Sequence, residues 1–262
     1  MKVVILAGGR GSRISEESLY KPKPLIEIGG KPIIWHIMKH YSHYGFNDFI
    51  ICCGYKGYLL KEYFVNYYMH NSDITVDLRR NNLEIKKNNS EPWRVSLIDT
   101  GENTMTGGRI LKLKKILKKE KNFFLTYGDG VSNINIKKLL SFHQKNNKLA
   151  TISVVKPQGR YGMIDLNKNG YVKKFAEKPD GDGSWVNGGF FVFNNGIFNF
   201  LKKASDILEQ GPIQKISKKG QLVACKHLGF WKAMDTVNDK NFLEDLWSKS
   251  KCPWKIWKDK YF

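Results

Sequence analysis

Residues 3–13 constrain the fold of this chain more than any other segment. Val3-Val4-Ile5-Leu6-Ala7 is an unbroken apolar run, the pattern of a parallel strand buried on both faces. It leads directly into Gly8-Gly9-Arg10-Gly11-Ser12-Arg13, and Lys21-Pro22-Lys23-Pro24 follows shortly after. Glycines let backbone N–H groups close around phosphate oxygens, because no Cβ holds the ligand away. Arg13 and the lysines can neutralise the charge that such a ligand brings. The segment reads as a polyphosphate site at the carboxyl end of a strand.

Three phosphate-binding designs compete for it. The dinucleotide fingerprint Gly-x-Gly-x-x-Gly fails, because counting from Gly9 and Gly11 its last position is Ile14. The P-loop requires Gly-Lys-Ser/Thr, which is absent. What remains is a Gly-Gly-x-Gly-Ser-Arg loop with a proline-stiffened pair of lysines. The plain alternative is a tight turn after a buried strand, with solvated lysines.

The strand–helix alternation along the chain extends the argument. Apolar runs predict strands at 2–7, 49–53, 95–98, 123–127, 150–155 and 186–193. Amphipathic spacing predicts helices from Pro32 to near Gly45 and at 58–68, 109–118, 136–144, 197–208 and 238–247. The stretch from Ile74 to Ile85, broken by Arg79-Arg80-Asn81-Asn82, reads as an excursion hairpin, and Asn167-Lys168-Asn169-Gly170 as a second hairpin turn. The expected fold is α/β: a Rossmann-like, mostly parallel, mixed and doubly wound sheet flanked by helices, with small β excursions. One domain spans 1–262, with a first part over about 1–130, a second over about 131–240, and a C-terminal helix and tail over 238–262. The tail, Trp254-Lys255-Ile256-Trp257, reads as exposed aromatics able to dock on the body or on a neighbouring subunit.

The net charge of +20 on 262 residues invites a nucleic-acid reading. The excess is nearly all lysine, spread along the chain, and no RNP motif, helix-turn-helix signature or zinc finger accompanies it. In Leu111–Lys119 the lysines read as the solvated face of a helix with Leu113, Ile116 and Leu117 on the other side. No nucleic-acid partner is expected. Apolar content of 41% excludes a disordered chain, and no run approaches membrane-spanning length. Cys52 and Cys53 read as core strand residues; with no zinc or disulfide spacing and no signal peptide, a reducing, cytoplasmic setting is expected.

Ligands of an open α/β sheet bind off the carboxyl ends of its strands, and four groups fall there. The glycine loop with Arg13 and Lys23 is the first. Asp129, between Gly128 and Gly130, has two readings: a Mg²⁺ carboxylate, or a turn residue capping the next helix. Glu177-Lys178-Pro179 places a compact phosphate-seeking charge beside a rigid residue. Asp235, in Met234-Asp235-Thr236, is either a second metal carboxylate or a helix N-cap.

Together these pieces resemble the sugar nucleotidyltransferases, whose signature is Gly-Gly-x-Gly-Thr-Arg followed by Pro-Lys-Pro. The agreement continues through Ile28–Met38, Ile51–Tyr58, Glu91-Pro92-Trp93, Asp99-Thr100-Gly101, Met105–Arg109, Phe175-x-Glu177-Lys178-Pro179, Asn187–Phe191 and Met234-Asp235-Thr236. Trp35-His36-Ile37-Met38 and Ile51–Tyr58 are similar to the cytidylyltransferase branch.

The resemblance implies transfer of a cytidylyl group from CTP to glucose-1-phosphate, giving CDP-glucose and pyrophosphate for deoxysugar and surface polysaccharide synthesis. It implies that Leu6, Ala7, Gly8, Gly9, Arg10, Gly11, Ser12 and Arg13 wrap the nucleotide, with Thr104, Arg109 and Gly128 beside it. Arg13 and Lys23 would meet the phosphates, Asp129 and Asp235 would hold Mg²⁺, and Glu177, Lys178 and Asn187 would meet the sugar phosphate. Arg13, Lys23, Asp129 and Lys178 are the implied catalytic set, and the assembly a homo-oligomer. A phosphate nucleophile is already ionised near neutral pH, so no general base is needed, and His36, His40 and His43 are expected to pack or face solvent. Two departures stand out: Ser12 replaces threonine, and Gln210-Gly211-Pro212-Ile213 replaces Gln-Glu-Pro-Leu, removing a carboxylate at Gly211. A different sugar phosphate or nucleotide, or a non-enzymatic nucleotide-binding relative, are the rival readings.

Overall fold

A computed structural model describes residues 1–11, 14, 18–157, 163–166, 169–176 and 184–258. The opening apolar run forms β1 (Val3–Leu6). A ribbon of β2 (Glu27–Ile28) and β3 (Lys31–Pro32) leads into α1 (Ile33–His43), β4 (Asp48–Cys53) and α2 (Gly57–His70). The hairpin β5 (Ser72–Asp77) and β6 (Asn82–Asn88) follows, then β7 (Arg94–Asp99), α3 (Thr106–Lys112) and α4 (Lys114–Leu117). The second half contains β8 (Asn122–Tyr127), β9 (Gly130–Ser132), α5 (Ile136–Asn146), β10 (Ala150–Val155), β11 (Met163–Leu166) and β12 (Val172–Ala176). It closes with β13 (Val186–Asn194), α6 (Pro212–Lys218), β14 (Leu222–Lys226), β15 (Trp231–Ala233) and α7 (Val237–Ser248).

Seven strands form the central sheet in the order β14-β10-β13-β8-β1-β4-β7. Six run parallel, and β13 runs against both of its neighbours, β8 and β10. From β1 the chain moves outward through β4 to β7, then crosses back to β8 on the other side of β1. That reversal opens a crevice off the carboxyl ends of β1 and β8, where ligands of doubly wound sheets bind.

The continuous apolar strands have a simple cause. Side chains alternate across a strand, so Val3 and Ile5 enter one core while Val4 and Leu6 enter the other. In β4 the same division separates Phe49, Ile51 and Cys53 from Ile50 and Cys52. Helices α1 and α7 cover the first face, and α3, α4 and α6 the second. The expected α/β sheet and the core placement of both cysteines are therefore found. Among the described residues no helix is long and apolar enough to cross a membrane.

Several local expectations need correction. Residues 197–208 form no α-helix; a single 3-10 element (Asn195–Asn199) is followed by turns. Their apolar periodicity reflects burial instead, since Ile197, Phe198, Leu201 and Leu208 all enter the second core. The helix expected at 109–118 begins at Thr106 and breaks at Leu113, and Ile116 faces outward while Leu113 and Leu117 are buried. The aromatic tail, by contrast, docks on the body, one of its two expected places, and its tryptophans are buried. Trp254 stacks on Phe230 at 5.5 Å, and Trp257 meets Trp35 edge-on at 5.8 Å. These rings close over His36, whose Nε2–H donates to the Ile28 carbonyl at 2.9 Å. Asn167 and Lys168, in the second hairpin turn, lie outside the described residues, while β11 and β12 pair antiparallel on either side.

Candidate active site

The crevice encloses about 360 Å³. Its walls are the loop from Leu6 to Gly11, Lys23 and Pro24, residues 104–106 with Arg109, and Tyr127-Gly128-Asp129. Gly11 sits at φ +65°, the left-handed region that glycine occupies without strain. Gly128 donates its N–H to the Leu6 carbonyl at 3.0 Å, and a Cβ there would meet Leu6 O and Pro24 at 3.0 Å. Among the described residues nothing accepts from the N–H groups of Gly8, Gly9 and Arg10. Such N–H groups suit phosphate oxygens. Arg10 bridges the loop to Glu102 at 3.1 Å in an exposed pair.

Arg109 supports this loop from beneath. Its Nη2 donates to Gly8 O at 2.9 Å and Glu102 O at 3.2 Å. Its Nη1 donates to Thr100 Oγ1 at 2.6 Å, Gly101 O at 2.9 Å and Cys53 O at 3.2 Å. The guanidinium thus ties together the carboxyl ends of β1, β4 and β7. Close approach explains two glycines, because a Cβ on Gly8 or Gly54 would lie 2.2 or 2.5 Å from Nη1. Burial holds the Arg109 pKa below its ordinary value. Gly107 and Gly108 permit a similar approach to the 204–206 segment, which accepts the N–H groups of Met105 and Gly107 at 3.0 and 2.8 Å.

Lys23 is the second buried cation. It lies in a one-turn 3-10 element (Lys23–Leu25) between Pro22 and Pro24, whose fixed φ limits the freedom of this stretch. Its Nζ donates to Asp129 Oδ2 at 2.6 Å and to Asp235 Oδ1 at 2.7 Å. The two carboxylates meet because β9 and β15 pair antiparallel just beyond them, and Met234 N–H donates to Asp129 O at 2.9 Å.

Neither aspartate caps a helix. Asn135 caps α5, accepting from Lys138 N–H, and Thr236 caps α7 in a capping box with Asp239. Burial works against ionisation of Asp239, but hydrogen bonds from Lys232 and Thr236 outweigh it and lower the carboxyl pKa. Among the described residues no three His, Cys, Asp or Glu side chains gather. Two carboxylates on one cation position do fit a Mg²⁺ ion, which keeps waters and takes its remaining oxygens from phosphates.

Asn187 lies near the start of β13, at the same edge as the carboxyl ends of β8 and β10. Its Nδ2 donates to the Tyr127 hydroxyl at 3.2 Å, and its Oδ1 accepts from Gly189 N–H at 2.8 Å. Thr104 is buried in the crevice wall. Ser12, Arg13, Glu177 and Lys178 lie outside the described residues. No histidine lines the crevice among the described residues. His36 and His40 are buried in the first core, and burial pushes each pKa down to about 4.

Sequence reasoning missed Glu209. It precedes the departure at Gly211, and its carboxylate accepts from the Tyr127 hydroxyl and from Thr106 Oγ1, the latter at 2.8 Å. The nearest available signal was the absent carboxylate two residues later.

The doubly wound sheet places this crevice where such folds bind nucleotides and other ligands. The family model described as nucleotidyl transferase matches residues 2–244, and the chain belongs to that family. It is 50% identical over 257 residues to "Glucose-1-phosphate cytidylyltransferase" of Salmonella typhimurium, covering 98% of this chain and 100% of the relative. The Salmonella typhi protein of the same name matches to the same extent. Among solved structures, HddC from Yersinia pseudotuberculosis superposes with a TM-score of 0.68 at 22% identity, covering 94% of this chain and 99% of that one. That likeness concerns the fold.

Proposed function

We propose that this chain transfers a cytidylyl group from CTP to glucose-1-phosphate, releasing pyrophosphate and forming CDP-glucose. The observation that carries the reading is 50% identity across 98% of the chain to relatives of that name, over a crevice suited to a triphosphate. A phosphate oxygen of the sugar phosphate attacks the α-phosphorus in line, and the Pα–O bond to pyrophosphate breaks as the new bond forms. No proton need be removed from the nucleophile.

The protein's task is to position two anions and to offset charge that builds on the α-phosphate and leaving group. The glycine loop would hold the triphosphate through its N–H groups, supported by Arg109. Lys23 would turn from its carboxylates to the phosphate oxygens, with Arg13 on the same nucleotide. Asp129 and Asp235 would hold Mg²⁺, which supplies charge neutralisation and orients phosphate oxygens when bound. Glu177 and Lys178 would meet the sugar hydroxyls and phosphate, beside Asn187.

The test is pyrophosphate release across the four NTPs, paired with glucose-1-phosphate and its isomers. CTP with glucose-1-phosphate is expected to give the highest kcat/KM. Preference for another NTP, or silence with glucose-1-phosphate, would overturn the named substrates.

A further inference from the structure

We infer that Glu209 is a positioning residue that fixes Tyr127 as the partition between the nucleotide and the sugar phosphate. The inference rests on the two-substrate reading above and adds a residue which that reading does not use.

Tyr127 ends β8, the strand that lies between β1, which carries the glycine loop, and β13, which carries Asn187. Its ring lines the crevice and packs edge-on against Phe191 at 6.0 Å. Gly189, at φ +77°, makes room for it, since a Cβ there would lie 2.7 Å from the ring. The hydroxyl donates to Glu209 Oε1 and accepts from Asn187 Nδ2.

The second carboxylate oxygen accepts from Thr106 Oγ1 at 2.8 Å, and that hydroxyl accepts from Leu208 N–H at 2.9 Å. Thr106 is itself a crevice residue on the nucleotide side. One carboxylate therefore holds both walls: Thr106 directly, and Asn187 through Tyr127. Charge-assisted hydrogen bonds are stronger than neutral ones, which suits a fixed partition.

The two ends of the network separate by substrate. Tyr127→Phe keeps the ring and removes only the hydroxyl, so KM for glucose-1-phosphate is expected to rise about tenfold, with KM for CTP within about twofold. Glu209→Ala releases both walls and raises both values. Glu209→Gln keeps an acceptor for the tyrosine and restores both KM values to within about threefold of wild type.

Steady-state kinetics with each substrate varied in turn, alongside thermal melting, read these outcomes. Binding calorimetry with glucose-1-phosphate and CTP reads the same division without turnover. The role is overturned if Tyr127→Phe leaves glucose-1-phosphate affinity within twofold. It is equally overturned if Glu209→Ala lowers only the melting temperature, or if Glu209→Gln is no better than alanine. Wild-type preference for other substrates would instead overturn the activity, and the division would then be read with those substrates.

Discussion

Two buried cations flank the glycine loop, and their surroundings set them apart. Arg109 donates five hydrogen bonds to neutral oxygens: four carbonyls and one hydroxyl. Lys23 is held by two carboxylates. A guanidinium surrounded by carbonyl oxygens keeps its full charge, and its planar fork ties strand ends together. An ammonium between two carboxylates leaves one net negative charge, and each partner could equally serve a metal ion or a phosphate. The first arrangement is architectural and the second is open to exchange, although both place a cation beside the same glycine loop.

The largest expected effect tests the exchangeable side. Lys23→Ala should lower kcat/KM by about three orders of magnitude, on the order of removing a strong transition-state donor. It should also strengthen Mg²⁺ binding, because Asp129 and Asp235 lose their competitor. Pyrophosphate release and Mg²⁺-dependent thermal shifts check both halves. Near-normal turnover, or no gain in the metal-dependent shift, would remove the contrast with Arg109.

Arg109→Met tests the architectural side. Five acceptors each lose one donor, though Gly8 O keeps Tyr55 N–H and Cys53 O keeps Thr100, and a loss of about 3 kcal/mol is expected, lowering the melting temperature by roughly 6 to 12 °C. Arg109→Lys should not restore it, because a point charge cannot span the three strand ends. An unchanged melting temperature would reassign Arg109 to the ligand alone.

The next effect comes from outside the crevice. His36 and His40 have folded pKa values of about 4, below the ordinary 6.5, so the unfolded chain binds their protons first as pH falls. Their contribution is fully present above pH 6.5 and is lost as pH falls toward 4. A melting temperature that falls across this window is expected, and His40→Gln should flatten the dependence. An identical pH profile in that variant would rule out His40 as a cause.

Arg10→Ala is expected to be the smallest change. Its pair with Glu102 is exposed, and such pairs contribute about 0–1 kcal/mol. With stability nearly constant, a fall in CTP affinity would read as lost contact with the nucleotide. No fall would class Arg10 with neither buried cation.

Much of the site was legible because its chemistry is local. Val3–Leu6 and the glycines after it carry their meaning in adjacent residues, and β10 was bounded correctly at Ala150–Val155 by an apolar run. The helix expected at 197–208 failed because apolar spacing reports burial as readily as helix, and a turning segment packed against the sheet satisfies the same pattern. For the tail the two expected docking places were left open, and the structure shows the body. Tryptophans read as exposed until a histidine-lined face of α1 is there to receive them. The two aspartates stood out in the sequence and both hold Lys23, but their capping alternatives were excluded only by seeing Asn135 and Thr236 occupy those caps.

The sequence alone determined six of the seven sheet strands, the glycine loop and the charged residue types gathered beside it, because strand periodicity and backbone freedom are properties of neighbouring residues. Tertiary structure decided which cation is a strut and which is exchangeable, and it brought Glu209 to Tyr127. Those outcomes depend on what chain crossings bring within hydrogen-bond distance, and no local spacing encodes that.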